Sequence, residues 1–505
     1  MKTTCHGNAR FDNSINQPSM KAEYTQGSIV ATMLKTSFAM LASTLAVSGY
    51  NIADTYFVGQ LSGAGPLAAM GFTFPVVMLV GCIFMGLGTG CMATIGQAVG
   101  RDDQGQVRQL IASGMLLVTI LAILLGLGGI LLGENIYRMM GAQGATLKLV
   151  KKYMDIWFLG CVTMGLSNEG NKILIACGKP KLSSAVTMLG MLVNVILDPL
   201  LIFGGERCHA ALLRRLPECL GASLRPLSGV FSLFAEHGIS GAAVATVVSQ
   251  AVAAVVILCL LWRIRLLQCV RLPWQRILGT WRIIVTYAIP ATLGMLLNPI
   301  SNGVTTWVTA HFGDTLVAAT AAASRLEVLA WVYPMSFGIS IMPIASQNYG
   351  ARLYSRVRRG FNFAVAVATS YLCVVSVIIM VFAPRLVTHF TDVQAVRDLM
   401  VTYLRIVPWG FAMLELTRYC GNVLTGCGHP NQDAALKVLR TAGLLIPFSL
   451  LTLALDWQPG VFYSRLATDI IAGAVCLVVT YRMLRKLPED GLPPDNHRVE
   501  QAGGH

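Results

Sequence analysis

The sequence predicts an all-α polytopic membrane protein of about twelve transmembrane helices, arranged as two parallel six-helix repeats. Three observations carry that expectation. The chain is 55% hydrophobic and only 12% charged, against roughly a quarter charged in soluble domains, and its mean hydropathy is +0.63. Apolar windows of about 20 residues, enough to cross the hydrocarbon layer as helices, recur along it. The second half also repeats the first 250 positions later, as from Gly100 to Gly350. Gln97-Ala98-Val99-Gly100 returns as Gln347-Asn348-Tyr349-Gly350, Val107-Arg108 as Val357-Arg358, and Leu67-Ala68-Ala69 as Val317-Ala318-Ala319. Ala176-Cys177-Gly178-Lys179-Pro180 returns as Gly426-Cys427-Gly428-His429-Pro430. The unit is far longer than a solenoid repeat.

Residues 1–27 are polar and lack the short apolar core and cleavage site of a secretory signal, so they are expected to form a cytoplasmic tail. The amino-terminal lobe is expected over 28–262, with spans near 30–58, 66–90, 108–131, 147–168, 182–203 and 240–262. A linker, 263–282, precedes a carboxy-terminal lobe over 283–486 with spans near 283–309, 317–344, 360–383, 398–419, 433–455 and 461–485. Residues 487–505 read as a disordered tail. Helices are preferred because each satisfies its own backbone, and the alternating segments of a barrel are absent.

Charge sets the orientation. Arg263, Arg265, Arg271, Arg276 and Arg282 lie between spans six and seven, and Arg352, Arg356, Arg358 and Arg359 fill a later loop. Lys172, Lys179 and Lys181, then Arg482, Arg485 and Lys486, fall on the same side. Loops 62–66 and 311–315 carry no Lys or Arg. The positive-inside rule puts both termini in the cytoplasm. It also accounts for a net charge of +14 without nucleic acid. An even number of spans per half makes the repeats parallel, related by an axis along the membrane normal.

One insertion, 205–237, breaks the repeat between spans five and six. Cys208 and Cys219 within it could form a local disulfide in an oxidising compartment or remain unpaired thiols. No Walker loop, His-Glu-x-x-His, Cys-x-x-Cys pair or Gly-x-Ser-x-Gly stands in the chain, so soluble-enzyme chemistry and bound cofactors are not expected. The glycine run Gly86-Leu87-Gly88-Thr89-Gly90 reads as close helix packing.

Ionisable residues inside spans are costly and mark aqueous cavities or partners. Asp54 follows Tyr50 by one turn in span one. Asn194 and Asp198 share a face of span five, and Thr246 adds a hydroxyl from span six. The carboxyls could exchange a proton, or the oxygens at Asp54, Asn194 and Asp198 could hold Na⁺. Alternatively Asp54 is a water-facing helix end and Asp198 merely precedes the Pro199 break. Spacing alone leaves both readings open. In the second half, Arg325 with Glu327, and Glu415 with Arg418, read as salt bridges, with Glu327 and Glu415 as alternative cavity carboxylates for cations. Asp155 is expected to pair with Lys151 or Lys152, and Asp469 with Arg465. Lys35 reads as snorkelling to the cytoplasmic face. His311 and His389 read as surface groups near outer loops.

Three motifs, in this order, resemble the multidrug and toxic compound extrusion (MATE) family: Asn51-Ile52-Ala53-Asp54-Thr55-Tyr56-Phe57-Val58-Gly59, Leu197-Asp198-Pro199-Leu200 followed by Gly241-Ala242-Ala243-Val244-Ala245-Thr246, and Gln347-Asn348-Tyr349-Gly350-Ala351. The resemblance runs from about residue 28 to 486. It implies a V-shaped, two-lobe transporter, a monomer in the cytoplasmic membrane. Such a protein exports cationic or amphipathic drugs and toxins in exchange for H⁺ or Na⁺, with no cofactor and only lipids as further partners. It ties Asp54, Asn194, Asp198 and Thr246, with Tyr50 alongside, to cation coupling. The insertion is longer than the family's usual loop. A flippase for lipid-linked sugars is the alternative, against which stands the concentration of arginine in loops. A membrane-embedded transferase would need a His/Asp or Ser/His cluster that the sequence does not present.

Overall fold

The computed structural model describes residues 22–61, 65–208, 235–267 and 273–492. Every regular element among them is helical. The first lobe comprises α1 (Ile29–Gly59), α2 (Gly65–Gly100), α3 (Gln104–Met139), α4 (Gly144–Leu159), α5 (Cys161–Ala176), α6 (Pro180–Phe203) and α7 (Ile239–Arg263). The second comprises α8 (Trp274–His311), α9 (Asp314–Gly350), α10 (Tyr354–Val387), α11 (Gln394–Ile406), α12 (Phe411–Gly426), α13 (Pro430–Val438), α14 (Ile446–Ala454) and α15 (Gly460–Lys486). A π-helical stretch, Leu439–Leu445, joins α13 to α14.

Among the described residues, ten spans are long and apolar enough to cross a membrane, α11 with α12 and α13 with α14 each counting as one, and α9 makes eleven when its two segments, set at 54°, are taken as one span. The remaining expected span, 147–168, is resolved as α4 and α5, separated at Gly160. A Cβ on Gly160 would stand 2.3 Å from Val247 Cγ2, so only glycine lets the chain turn that close to α7. Its repeat mate Gly410 ends the 3₁₀ turn Val407–Gly410 between α11 and α12. Both lobes therefore interrupt the same span at the same place.

The repeat extends to backbone detail. Gly178 and Gly428 have φ of 78° and 89°, and Asp102 and Arg352, two residues past α2 and α9, have φ of 57° and 58°. Pro180 and Pro430 open α6 and α13, where a missing N–H costs nothing. The outward faces stay apolar, as Leu124, Leu127 and Leu131 on α3 illustrate. That is the surface a lipid environment requires.

Two boundaries differ from expectation. α8 begins at Trp274, inside the expected linker, and Trp274 and Trp281 stack edge to face along it. Residues 487–492 are docked: Tyr354 OH donates to Leu492 O at 3.2 Å, and Asp490 accepts from Ser355 N at 2.8 Å. Residues 22–27 are also ordered, around a 3₁₀ turn at Glu23–Thr25. The rest of both tails lies outside the described residues, as does Cys219. Cys208 Sγ lies 3.1 Å from Pro199 O.

The lobes meet crosswise, α1 packing on α9 and α2 on α8. The glycine run of α2 makes the second contact. A Cβ on Gly86 would be 1.9 Å from Thr292 Oγ1, and one on Gly90 2.8 Å from Ile284 O. Close packing, rather than ligand binding, is what those glycines serve.

Candidate functional site

α6 lies between α1 and α7. The small residues at the start of α7 bring it against α6: a Cβ on Gly241 would be 2.2 Å from Leu201 O. Asp54 from α1, Asn194 and Asp198 from α6, and Thr246 from α7 are all buried, Asp198 and Asn194 at 0% exposure and Asp54 at 8%. Asn194 Nδ2 donates to Asp198 Oδ1 at 3.2 Å, as their one-turn spacing foresees. Asp54 and Asp198 are close enough for their charges to interact. Asp54 Oδ1, Asn194 Oδ1 and Asp198 Oδ2 are buried without a hydrogen-bond partner. Pro199, inside α6, cannot donate to the carbonyl of Val195, which loosens the helix beside Asp198. Buried, unsatisfied carboxyl oxygens are expensive. Two carboxyl oxygens and one amide oxygen, all unpartnered, form a set that a proton on a carboxyl or a small hard cation would satisfy. The Tyr50 side chain lies outside the described residues.

A second constellation closes the basic end, and here the repeated motifs meet each other. Gln97 Nε2 donates to Gly426 O at 3.0 Å, and Gln347 Nε2 donates to Ala176 O at 2.7 Å. Each glutamine thus bonds the turn of the opposite lobe that is the repeat mate of its partner's target. Backbones touch between them: a Cβ on Gly100 would be 2.0 Å from Gln347 O, and one on Gly350 2.1 Å from Gln97 O. The amino-terminal segment straps over this contact. Tyr24 N donates to Gln347 Oε1 at 3.1 Å, Tyr24 OH to Ile175 O at 3.2 Å, and Glu23 pairs with Lys179. Arg356 Nη1 donates to Gly27 O at 2.7 Å. Sequence reading found the repeat but not that its copies interlock, because pseudo-symmetry does not reveal which surfaces face the axis.

The charges of the second lobe pair differently from expectation. Glu327 Oε2 accepts from Arg465 Nη2 at 2.8 Å, and Tyr403 OH bonds both side chains. Arg325, the expected partner, is exposed. Asp469 accepts from Arg440 Nη2 at 2.7 Å and Nε at 3.1 Å, not from Arg465. Adjacent positions on one helix were assigned to each other, whereas long arginines reach across to neighbouring helices. Glu415 keeps its neighbour Arg418 at 3.0 Å, and the guanidinium lies 5.1 Å from the Trp331 ring centroid. Lys151 and Asp155 pair at 3.3 Å. No group of three His, Cys, Asp or Glu that could hold a metal ion occurs among the described residues.

Two buried carboxylates escape the sequence: Asp433 on α13, which accepts from Lys437 Nζ at 2.8 Å, and Glu169. Glu169 on α5 is 1% exposed, but Asn168, Asn171 and Lys172 around it make the stretch read as the end of a span. Depth along a helix, counted from the turn at Cys177, is the signal that finds it.

Apolar helices in two crosswise-packed lobes, with buried carboxyls that lack an ion-pair partner in the first, ion-paired ones in the second, and a closed contact at the basic end, define an integral membrane transporter. The MatE family model matches residues 39–200 and 290–451, two stretches starting 251 positions apart (290 − 39), so it recovers the same duplication. The chain belongs to the MatE family, and is a MATE transporter rather than an enzyme. It is 26% identical over 452 residues to an FAD transporter of Shewanella oneidensis, covering 89% of this chain and 94% of that one. It is 23% identical over 480 residues to the multidrug export protein MepA of Staphylococcus aureus, covering 92% and 97%. Among solved structures, a Vibrio cholerae MATE transporter, VcmN, shares the fold with a TM-score of 0.80 at 24% identity, covering 93% of this chain and 98% of that one. A MOP superfamily transporter from Pyrococcus furiosus aligns with a TM-score of 0.79 at 22% identity, covering 92% and 98%.

Proposed function

We propose that this chain is a secondary antiporter of the cytoplasmic membrane, with both termini inside. It exports amphipathic or cationic small molecules in exchange for H⁺ or Na⁺ through the Asp54/Asp198 cluster. The observation that carries this reading is the trio of unpartnered buried oxygens on Asp54, Asn194 and Asp198. Protonating the carboxyls, or binding Na⁺ there, relieves that cost in one lobe arrangement, and substrate binding favours the other. Exchange needs only that the two ligands differ in affinity for the two states. A shallow, largely open apolar depression lined by Phe38, Tyr333, Ala366, Val367, Ser370 and Tyr371 offers lipophilic cargo a surface along α1, α9 and α10. Glu327 and Glu415 are already held by arginines, so in this reading they brace the second lobe.

A second reading follows from the likeness to an FAD transporter: the cargo is an anionic aromatic dinucleotide. Everted vesicles with ΔpH and ΔNa⁺ imposed separately, and ethidium, norfloxacin or FAD as cargo, distinguish the two. Asp54→Asn and Asp198→Asn should insert normally and lose gradient-driven export. Full export by both variants would sink the coupling reading.

A further inference from the structure

The Glu169 carboxyl has no part in anything described above. It lies eight residues before Cys177 on α5, about 12 Å from the basic end at 1.5 Å per residue, whereas Asp198, eighteen residues into α6, lies about 27 Å from it. Both carboxyl oxygens are buried without a hydrogen-bond partner. Glycines bring α2 and α3 close against them, and a Cβ on Gly88 would meet Lys172 Cγ at 2.9 Å. A Cβ on Gly88 of α2 would stand 3.5 Å from Glu169 Oε2 and 3.3 Å from Asn168 Oδ1, itself buried and unpartnered. A Cβ on Gly114 of α3 would stand 3.7 Å from Glu169 Oε1 and 2.9 Å from Cys91 Sγ.

Two titratable groups face this carboxyl: the Cys91 thiol from α2, a weak donor, and the Lys172 ammonium from the next turn of α5. Lys172 acts on it through space without a hydrogen bond to either oxygen. The second lobe treats the matching point differently. Gly338, the repeat mate of Gly88, would place a Cβ 3.6 Å from Glu415 Oε1, and there Arg418 closes an ion pair at 3.0 Å. An ionised carboxylate is therefore neutralised by contact in one lobe and not in the other. A carboxylate with no contact ion pair in a membrane interior is costly. A single proton removes the cost, whereas a metal cation would meet the Lys172 charge.

We propose that Glu169 is a second proton-binding site of the first lobe, separate from Asp54 and Asp198 and nearer the basic end. The carboxylate takes up one H⁺ to become a neutral acid and returns it to water; no other bond changes. This goes beyond the Asp54/Asp198 reading and does not depend on it. The test is infrared spectroscopy of the full-length protein in lipid nanodiscs, following the C=O stretch of protonated carboxyls as the pH is raised. The wild type should show a carboxylic acid band that base removes. Glu169→Gln should lose it and take up one proton fewer per molecule on acidification, while Asp54→Asn/Asp198→Asn should keep it. Glu169→Asp, which preserves the acid at a shorter reach, should retain the band at a shifted frequency, and serves if Glu169→Gln fails to fold. A band unchanged by Glu169→Gln, or removed by Na⁺ at constant pH, would overturn the proposal. Loss of the band in the Asp54/Asp198 double variant alone would do so too, while leaving the coupling reading intact.

Discussion

Gly350→Ala should loosen the closed contact at the basic end. The added Cβ would lie 2.1 Å from Gln97 O and 2.9 Å from Gln97 C and Cα. All of these are backbone atoms, so no rotamer change offers escape, and about 1 Å of separation between α2 and α9 is needed to restore ordinary contact. Overpacking of this kind costs about 1–3 kcal/mol. The penalty falls on the closed arrangement, so at 1.4 kcal/mol per decade it raises the open population about 5- to 150-fold. The protein carries its own reporters. Cys177 and Cys427 sit in the two turns that the glutamines grip and are buried at 1% and 0% exposure, and burial pushes the Cys177 thiol up to about 12. Both are inert while the contact holds. Alkylation in everted vesicles, read by mass spectrometry, should speed up at both cysteines by that factor, because reaction from a rare open state tracks its population. Unchanged rates at both, in a folded variant, would show that the Gly350–Gln97 approach does not hold the basic end closed.

Other consequences can be checked on the purified protein. Arg440→Met strands Asp469, 1% exposed, and should destabilise the second lobe by about 3–5 kcal/mol, the cost of breaking a buried pair. Arg440→Met/Asp469→Leu should recover most of that in a detergent unfolding assay. Asp490 is held below the usual carboxylate range by hydrogen bonds from the Ser355 hydroxyl and backbone N–H. With a lowered folded pKa, its contribution is fully present above the unfolded value of about 3.9 and is lost as pH falls through the folded one. Proteolysis of the 487–492 segment should therefore stay slow from neutral down to about pH 4 and accelerate below it. Asp490→Asn should make it fast at neutral pH.

Much of the scaffold was legible because membrane helices obey one strong rule, that the backbone must satisfy itself. The repeat was legible too, down to the turns at Gly178 and Gly428. The interruptions at Gly160 and Gly410 were not, since a glycine in an apolar run reads the same whether the helix continues or stops. In the site, Asn194 and Asp198 were paired by spacing, which holds within a helix. Partners of Glu327 and Asp469 depend on how α15 and the Leu439–Leu445 stretch pack against their neighbours, and spacing says nothing of that. Glu169 escaped because polar neighbours hid how deep it lies.

In the proposed exchange Asp54 and Asp198 hold the cation that substrate displaces. The direct measurement is cation release on substrate binding: purified protein in weakly buffered nanodiscs, ethidium or FAD added, with pH and Na⁺ followed together. The wild type should release protons or Na⁺ in proportion to substrate bound, and Asp54→Asn/Asp198→Asn should bind substrate with no release. Equal release from the double variant would contradict that assignment.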